Sequence, residues 1–282
     1  MALNFKTLLT RTLTAAVFVA VLLSAICYHY LSFSLLFFAV SLWGLHEFFK
    51  IAGLLGAKPY KAISYCAAII LYASVLLQNI AFRYPDVLFN AALCFGFLIL
   101  TGALFSKNEK PITDTAYSLF GIIYTVVPFF ILNKLVCLGN TGTFGIPVYK
   151  SHFILGMILL IWASDTFAYL VGSMIGKRKL YEKISPGKTW EGTIGGGVLT
   201  MASSYIITGW FPEIQFIHWL VISVIVVVFG TLGDLFESML KRQAGIKDSG
   251  SIMPGHGGIL DRFDSLIFVT PFVYLYLSWV LG

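Results

Sequence analysis

The sequence predicts an all-α integral membrane protein with about nine transmembrane helices. Of its 282 residues, 58% are hydrophobic and only 11% are charged, whereas a soluble domain needs far more charge to cover its surface. The apolar runs have the length of membrane helices and lack the short alternating segments of a β-barrel. Helices also satisfy their backbone hydrogen bonds within each segment, as lipid requires.

The apolar windows place the predicted spans. Each window holds about 16 to 21 residues, and together they fall at 12–28, 31–49, 62–80, 87–105, 116–136, 153–172, 193–211, 215–233 and 266–281. The first follows Lys6 and Arg11 as a signal peptide would, but it lacks a small-residue cleavage site, so we interpret it as a span. We divide the chain into N-terminal transmembrane helices, residues 1–150, and a C-terminal region, residues 151–282.

The distribution of basic residues predicts the orientation. If the N-terminus lies in the cytoplasm, 16 of the 19 Lys and Arg residues fall on the cytoplasmic side, and only Arg83, Lys134 and Lys150 fall outside. Two long polar connections, 173–192 and 234–265, then both lie in the cytoplasm. Because long connections in compact domains are usually functional, we expect them to form the functional loops of the C-terminal region.

The connection 234–265 concentrates carboxylates. If the helix before it continues, Asp234, Glu237 and Lys241 share one face, and Asp261 and Asp264 are likewise three residues apart. Carboxylates that converge in a low-dielectric surrounding repel one another unless a cation bridges them, and oxygen ligands suit Mg²⁺. The pattern therefore predicts a magnesium site.

The alternative is that these carboxylates are solvated and form ion pairs with loop cations, namely Lys241, Arg242, Lys247 and Arg262. The apolar runs beside Asp234 and Asp261 weigh against that alternative. The intervening run PGHGG, 254–258, also favours a ligand site, because its backbone can approach a ligand closely. Gly257, Gly258 and His256 are candidate contacts, although a loop histidine is as often a structural hydrogen bonder.

The connection 173–192 is rich in cations and contains the tripeptide GKT. A phosphate-binding P-loop is excluded, because Glu182 stands where that motif needs glycine and the all-helical chain lacks the preceding strand. What remains are five cations and two hydroxyl donors before a helix start at 192–197: Lys177, Arg178, Lys179, Lys183, Lys188, Ser185 and Thr189. Basic donors and a helix N-terminus predict an anion site. A positively charged flank without a ligand is the alternative.

Polar residues inside the predicted spans need separate interpretations. Asp165 lies within the sixth span, where an unpaired charge is costly, so we expect it to pair with loop cations or join the metal cluster. We interpret His46 and Glu47, near the end of the second span, as interfacial. Gly195, Gly196 and Gly197 are expected to allow close helix packing.

Residues 238–264, SMLKRQAGIKDSGSIMPGHGGILDRFD, resemble the signature of the phosphatidate cytidylyltransferases, also called CDP-diacylglycerol synthases. Two upstream runs, SDTFAYLVGSMIGKRKL and ISPGKTWEG, are similar to other blocks of that family, so the resemblance covers about residues 160–265. Met253 is a conservative departure from the usual residue. The first 150 residues resemble the family only in being membrane helices.

The resemblance implies Mg²⁺-dependent transfer of CMP from CTP to phosphatidic acid, which gives CDP-diacylglycerol and pyrophosphate. It implies that Asp234, Asp261, Asp264 and, less firmly, Asp248 bind the metal. The site would hold one or two Mg²⁺ ions, with a monovalent cation as a further option. Lys241, Arg242 and Lys247 join the first three as catalytic candidates. The substrate-binding candidates are Lys188, Ser185, Thr189, Arg262, His256, Gly257, Gly258 and Asp165. No Ser, Cys or His nucleophile is needed, because the lipid phosphate is already anionic.

The expected partners are CTP, phosphatidic acid and membrane lipids, without nucleic acid, in a homodimer by family analogy. The expected location is a bacterial inner membrane. One rival is a transporter of an anionic or nucleotide solute, which would place polar sites near the membrane midplane in broken helices. The CDP-alcohol phosphotransferases are a second rival, but their D-G-x-x-A-R run is absent. A structural membrane subunit would leave both charged connections without a purpose.

Overall fold

The computed structural model describes residues 5–79, 85–139, 148–253, 255 and 257–281. Helices form most of this part of the chain. Their bounds are α1 Phe5–Tyr28, α2 Tyr30–Leu54, α3 Lys61–Asn79, α4 Pro85–Phe105, α5 Pro111–Thr125, α6 Val127–Leu135, α7 Ser151–Ile175, α8 Trp190–Trp210, α9 Phe216–Gln243 and α10 Leu260–Leu281. Two short strands, β1 Lys179–Tyr181 and β2 Ser185–Thr189, lie between α7 and α8.

Seven helical segments in the described ranges are long and apolar enough to cross a membrane: Tyr30–Leu54, Lys61–Gln78, Val87–Phe105, Pro111–Leu135, Ser151–Ile175, Phe216–Gln243 and Leu260–Leu281. The apolar part of α1, Thr12–Tyr28, is shorter, and the glycine-rich α8 is not among the seven. A helical integral membrane protein is therefore confirmed. The count of nine spans stays a prediction.

The fifth predicted span is broken into two helices. Val126 separates α5 from α6, and Pro128 lies in the first turn of α6. Proline has no N–H to donate, and its ring clashes with the carbonyl four residues earlier, which here belongs to Tyr124. The helix therefore stops and restarts at this point.

Both long connections are more ordered than expected. The prediction of a loop from residue 234 was wrong, because α9 continues to Gln243. The expectation that the chain lacks strands was also wrong, since β1 and β2 form an antiparallel hairpin in which Lys179 pairs with Thr189. Hydropathy marks where the apolar run ends, but a helix continues wherever its backbone bonds are satisfied.

Glycines allow α8 to lie directly against its neighbours. A Cβ at Gly196 would collide with the backbone of Ala168 on α7, and one at Gly197 would come within 2.9 Å of Val227 on α9. The expected packing role of the glycine run is therefore confirmed. It brings α7, α8 and α9, and with them the hairpin, into one tightly packed unit.

An aromatic core supports the start of α10. Phe37 of α2 lies 5.6 Å from the ring of Phe129 and 5.9 Å from that of Phe263, measured between centroids. Phe37, Phe129 and Phe263 are almost completely buried. The N-terminal helices thus share a core with the first turns of α10.

Candidate active site

Four carboxylates line one cavity of about 260 Å³. Asp165 comes from α7, Asp234 from α9, and Asp261 and Asp264 from the first two turns of α10. Most of the remaining lining is apolar. The fold therefore brings together four predicted site residues that are as much as about a hundred positions apart in the sequence.

The close contact between α9 and α10 explains this convergence. A Cβ at Gly233 would lie only 2.6 Å from the backbone oxygen of Asp264, so only glycine lets the two helices approach this closely. Asp234 follows Gly233 directly. Because α9 continues past Asp234, Glu237 and Lys241 follow on the same side of the helix.

Lys241 links the two helices through charge. Its Nζ lies 2.5 Å from Glu237 Oε2 and 2.5 Å from Asp261 Oδ1. The side chains of Lys241, Glu237 and Asp261 are only 11%, 2% and 7% exposed. Glu237 Oε1 is buried and has no hydrogen-bond partner among the described residues. Because a buried carboxylate without a cation is strongly destabilising, Lys241 is what allows both acids to lie here.

Asp261 organises the loop before α10. Its Oδ2 accepts hydrogen bonds from the Ser249 backbone N–H at 2.9 Å, the Ser249 hydroxyl at 2.9 Å and the Gly258 N–H at 2.7 Å. Gly257 has a φ of +83°, and any Cβ there would collide with Asp261 Oδ2. The glycine run is therefore needed locally to fold the chain around this carboxylate.

A second cavity of about 450 Å³ lies against the hairpin. Asp165 and Asp234 line both cavities, so the two spaces adjoin at this pair of carboxylates. Hydroxyl side chains dominate its polar lining: Ser164, Tyr169, Ser173, Ser185, Thr189, Thr193 and Thr231. Lys188 is the cation in this lining, and its Nζ lies 2.6 Å from Asp234 Oδ2.

The hairpin is fastened to the start of α8. Thr189 is the N-cap of α8, and its Oγ1 accepts a hydrogen bond from the Gly192 N–H at 3.2 Å. The Glu191 carboxylate accepts the backbone N–H groups of Lys177 and Arg178 at 3.0 and 3.1 Å. Hydrogen bonds from its own N–H and from these two residues hold the pKa of Glu191 below its ordinary range. The predicted helix start at 192 is therefore shifted to Trp190.

Several predicted site residues do not line either cavity. Arg242, Lys247 and Asp248 are exposed and are absent from the lining of both. The Arg242 guanidinium donates instead to the Ile246 carbonyl at 3.3 Å. His256 lies outside the described residues. The catalytic or metal-binding roles expected for Arg242, Lys247 and Asp248 therefore stay predictions.

Other candidates lie in or beside the cavities. Arg262 is exposed and lines the first cavity, while Ser185 and Thr189 line the second. Gly258 contributes through its N–H, which is donated to Asp261. The alternative of ion pairs with loop cations is met in part, because Lys241 pairs with Asp261. The two side chains are only 11% and 7% exposed, so this pair is not a solvated one.

Sequence reasoning missed Glu47. It was interpreted as interfacial, but it is 1% exposed and accepts hydrogen bonds from Ser249, Ile259 and Leu260. The interpretation was wrong because hydropathy shows where a charge lies along a span and not what it faces. The argument used for Asp165, that a charge in an apolar span has a function, would have found it.

The donor chemistry of the first cavity fits Mg²⁺. Its acidic side chains offer carboxylate oxygens only, the ligands this ion prefers. Across the described ranges, no three acidic, His or Cys side chains form a ready metal-binding group. Lys188 and Lys241 neutralise Asp234 and Asp261 in this arrangement. The metal site stays a prediction.

Comparison with known proteins assigns the chain to a family. A sequence model of the Cytidylyltransferase family matches residues 9–280. The chain belongs to the cytidylyltransferase family. This family match includes residues 9–150, a region that on sequence patterns alone resembled the family only in its apolar character.

Curated relatives cover most or nearly all of the chain. The phosphatidate cytidylyltransferase of Bacillus subtilis is 36% identical over 275 residues, which are 95% of this chain and 97% of the relative. The protein of the same name from Staphylococcus haemolyticus is 34% identical over 272 residues, or 95% and 98%. That of Staphylococcus saprophyticus is 38% identical over 205 residues, or 72% and 74%.

Proposed function

We propose that this membrane protein transfers CMP from CTP to phosphatidic acid and forms CDP-diacylglycerol and pyrophosphate. One structural observation carries the proposal: four carboxylates line a cavity that adjoins a second one, and Lys188 and Lys241 pair with two of these carboxylates. The family match and the shared name of the curated relatives, phosphatidate cytidylyltransferase, support the same reaction.

The reaction needs little covalent chemistry from the protein. A phosphate oxygen of phosphatidic acid forms a bond to the α-phosphorus of CTP, and the bond from that phosphorus to the bridging oxygen breaks, so pyrophosphate leaves with the electron pair. The attacking oxygen is already anionic near neutral pH, so no general base is required. The protein must therefore position two anions and neutralise their charge.

Two cations that line the cavities are suited to that task. Lys188 reaches from the hairpin to Asp234 and lines the second cavity, where a substrate phosphate would meet it. Arg262 lines the first cavity. Hydrogen bonds from such cationic donors to a phosphate are stronger in surroundings that exclude water.

We propose Asp234, Asp261 and Asp264 as the residues that would hold Mg²⁺. Asp165 lines the same cavity. Asp248 is a weaker candidate, because it is exposed and outside that lining. When bound, Mg²⁺ would offset phosphate charge and stabilise the leaving pyrophosphate.

We further propose nine spans with the N-terminus and both cavities on the cytoplasmic side of a bacterial inner membrane. The placement of 16 of 19 Lys and Arg residues supports this orientation. It gives CTP access from the cytoplasm while the acyl chains of phosphatidic acid stay in lipid. A homodimer is proposed by family analogy only.

The test is incorporation of labelled CMP into lipid by purified protein in detergent. We expect a CDP-lipid product that requires phosphatidic acid and Mg²⁺ and is lost with EDTA. Folded protein that binds CTP but makes no such product would contradict the proposal. Nucleotide flux in liposomes would then test the transporter alternative.

A further inference from the structure

Glu47 of α2 is a buried acid that holds the catalytic loop. Its Oε1 accepts the Ile259 N–H at 3.0 Å, and its Oε2 accepts the Leu260 N–H and the Ser249 hydroxyl, both at 3.0 Å. More than 200 positions separate Glu47 from these donors. An N-terminal helix therefore fixes the segment that carries Asp261.

The position of Glu47 suits a charge. Ile259 and Leu260 lie at the start of α10, where backbone N–H groups have no partner within the helix and the helix dipole favours an anion. Glu47 thus caps α10 from a different helix. A glutamine would place an NH₂ group against one of these donors.

The surrounding backbone is fitted to this carboxylate. A Cβ at Gly250 or at Gly258 would collide with the oxygens of Glu47. The backbone at Gly250 and at Gly258 therefore passes directly over the Glu47 carboxylate. This close fit leaves the loop little freedom to shift while Glu47 stays in place.

Ser249 connects Glu47 to the active site. Its hydroxyl lies 3.0 Å from Glu47 Oε2 and 2.9 Å from Asp261 Oδ2. A hydroxyl has one hydrogen to donate, so the two carboxylates share it. The Ser249 N–H also donates to Asp261 at 2.9 Å. A movement of Glu47 is therefore passed to Asp261 through a single residue.

We propose that Glu47 is a positioning residue for the transfer reaction, which acts through Ser249 and the start of α10 to hold Asp261 in its productive place. This inference rests on the proposed function. Glu47 touches no substrate in this account, since it does not line either cavity. Glu47 instead fixes the position of Asp261, which lines the first cavity.

The test compares Glu47→Gln, Ser249→Ala and the double variant, with activity normalised to folded protein. Glu47→Gln should lower kcat by about 10–100-fold and leave the KM for CTP nearly unchanged, as for supporting residues around a catalytic group. Ser249→Ala should lower kcat by about tenfold. Because both act through one chain of contacts, the double variant should lose less than the product of the two single losses.

A second measurement needs no turnover. Lys247 is exposed in the same loop, so trypsin cleavage after Lys247 in the absence of substrates should be faster in Glu47→Gln than in wild type. The matched control is Glu109→Gln, the same change at an exposed acid between α4 and α5 that lines neither cavity. It should leave both kcat and cleavage unchanged.

The two readouts separate the possible failures. If wild-type protein makes no CDP-lipid, the proposed function fails, while the cleavage rates still test whether Glu47 holds the loop. The inference on Glu47 is overturned if kcat per folded enzyme stays within about twofold of wild type, or if cleavage is unchanged. If Glu47→Gln does not fold, Ser249→Ala decides, because it keeps both amide contacts of Glu47 and removes only the shared hydroxyl.

Discussion

Lys188 Nζ lies 2.6 Å from Asp234 Oδ2 and joins the hairpin to α9 at the boundary between the two cavities. Both side chains remain partly accessible, at 25% and 32% exposure. A phosphate entering the second cavity would therefore compete with Asp234 for the lysine. Such an exchange would leave Asp234 available for a metal as the nucleotide binds.

Replacing Lys188 tests this pair. Lys188→Ala should lower kcat/KM for CTP by about 10–100-fold, because a hydrogen bond between charged groups contributes about 1.5–3 kcal/mol. Steady-state kinetics with varied CTP at saturating phosphatidic acid would measure it. Lys107→Ala, which removes an exposed lysine between α4 and α5, should have no effect. Equal kinetics in the two variants would show that Lys188 binds no substrate and that the hairpin is only a positively charged flank.

Asp264 offers the cleanest test of the carboxylate cluster. Its Oδ1 accepts only the neighbouring Ser265 N–H, at 2.6 Å, among the contacts described for its side chain, and an asparagine oxygen can accept that bond as well. Asp264→Asn should therefore lower kcat by about 10²–10³-fold with an unchanged melting temperature. Near-normal turnover would remove Asp264 from the proposed metal site.

Asp261→Asn should behave differently. Asp261 accepts three hydrogen bonds from the loop as well as the Lys241 ion pair. An asparagine would turn an NH₂ group towards some of these donors. We expect loss of activity together with a lower melting temperature in detergent. A fully stable but inactive Asp261→Asn would show that its contacts with the loop contribute little.

The lysine between Glu237 and Asp261 should matter for stability. Lys241→Met leaves two nearly buried carboxylates without their cation, which should cost about 3–5 kcal/mol. Adding Glu237→Gln removes one of those charges and should recover part of the loss. Thermal unfolding of both variants in the same detergent measures this. A Lys241→Met protein as stable as wild type would contradict the buried-pair interpretation.

Two glycines with positive φ form a matched pair. Gly257 and Gly245 have φ values of +83° and +70°, so alanine at either should cost about 1–2 kcal/mol. A Cβ at Gly257 also collides with Asp261, while one at Gly245 meets nothing within 4 Å. Gly257→Ala should therefore lower kcat and Gly245→Ala should not. Equal kcat in the two variants would show that Asp261 tolerates displacement.

Much of the fold was predictable because membrane helices are specified by local composition. The apolar windows coincide with helices in the described ranges, and the i, i+3 spacing of Asp261 and Asp264 placed both beside one cavity. Asp165 was also found from its isolation in an apolar span. These predictions depend on hydropathy and helical periodicity, which short stretches of sequence contain.

What the sequence did not reveal depends on long-range packing. The hairpin is stabilised by Glu191 binding the backbone N–H groups of residues 177 and 178, a contact that no hydropathy window detects. The burial of Glu47 depends on a loop more than 200 positions away. Arg242 and Lys247 are close to the carboxylates in sequence, but they line neither cavity.

The proposed function requires that CMP itself is transferred to the lipid. The most direct measurement supplies the purified protein with phosphatidic acid and Mg²⁺ and compares CTP labelled at the α-phosphate with CTP labelled at the γ-phosphate. We expect the α label to enter the lipid fraction and the γ label to leave entirely as pyrophosphate. A γ label in the lipid, or no lipid label from either nucleotide with folded protein, would contradict the proposed transfer of CMP.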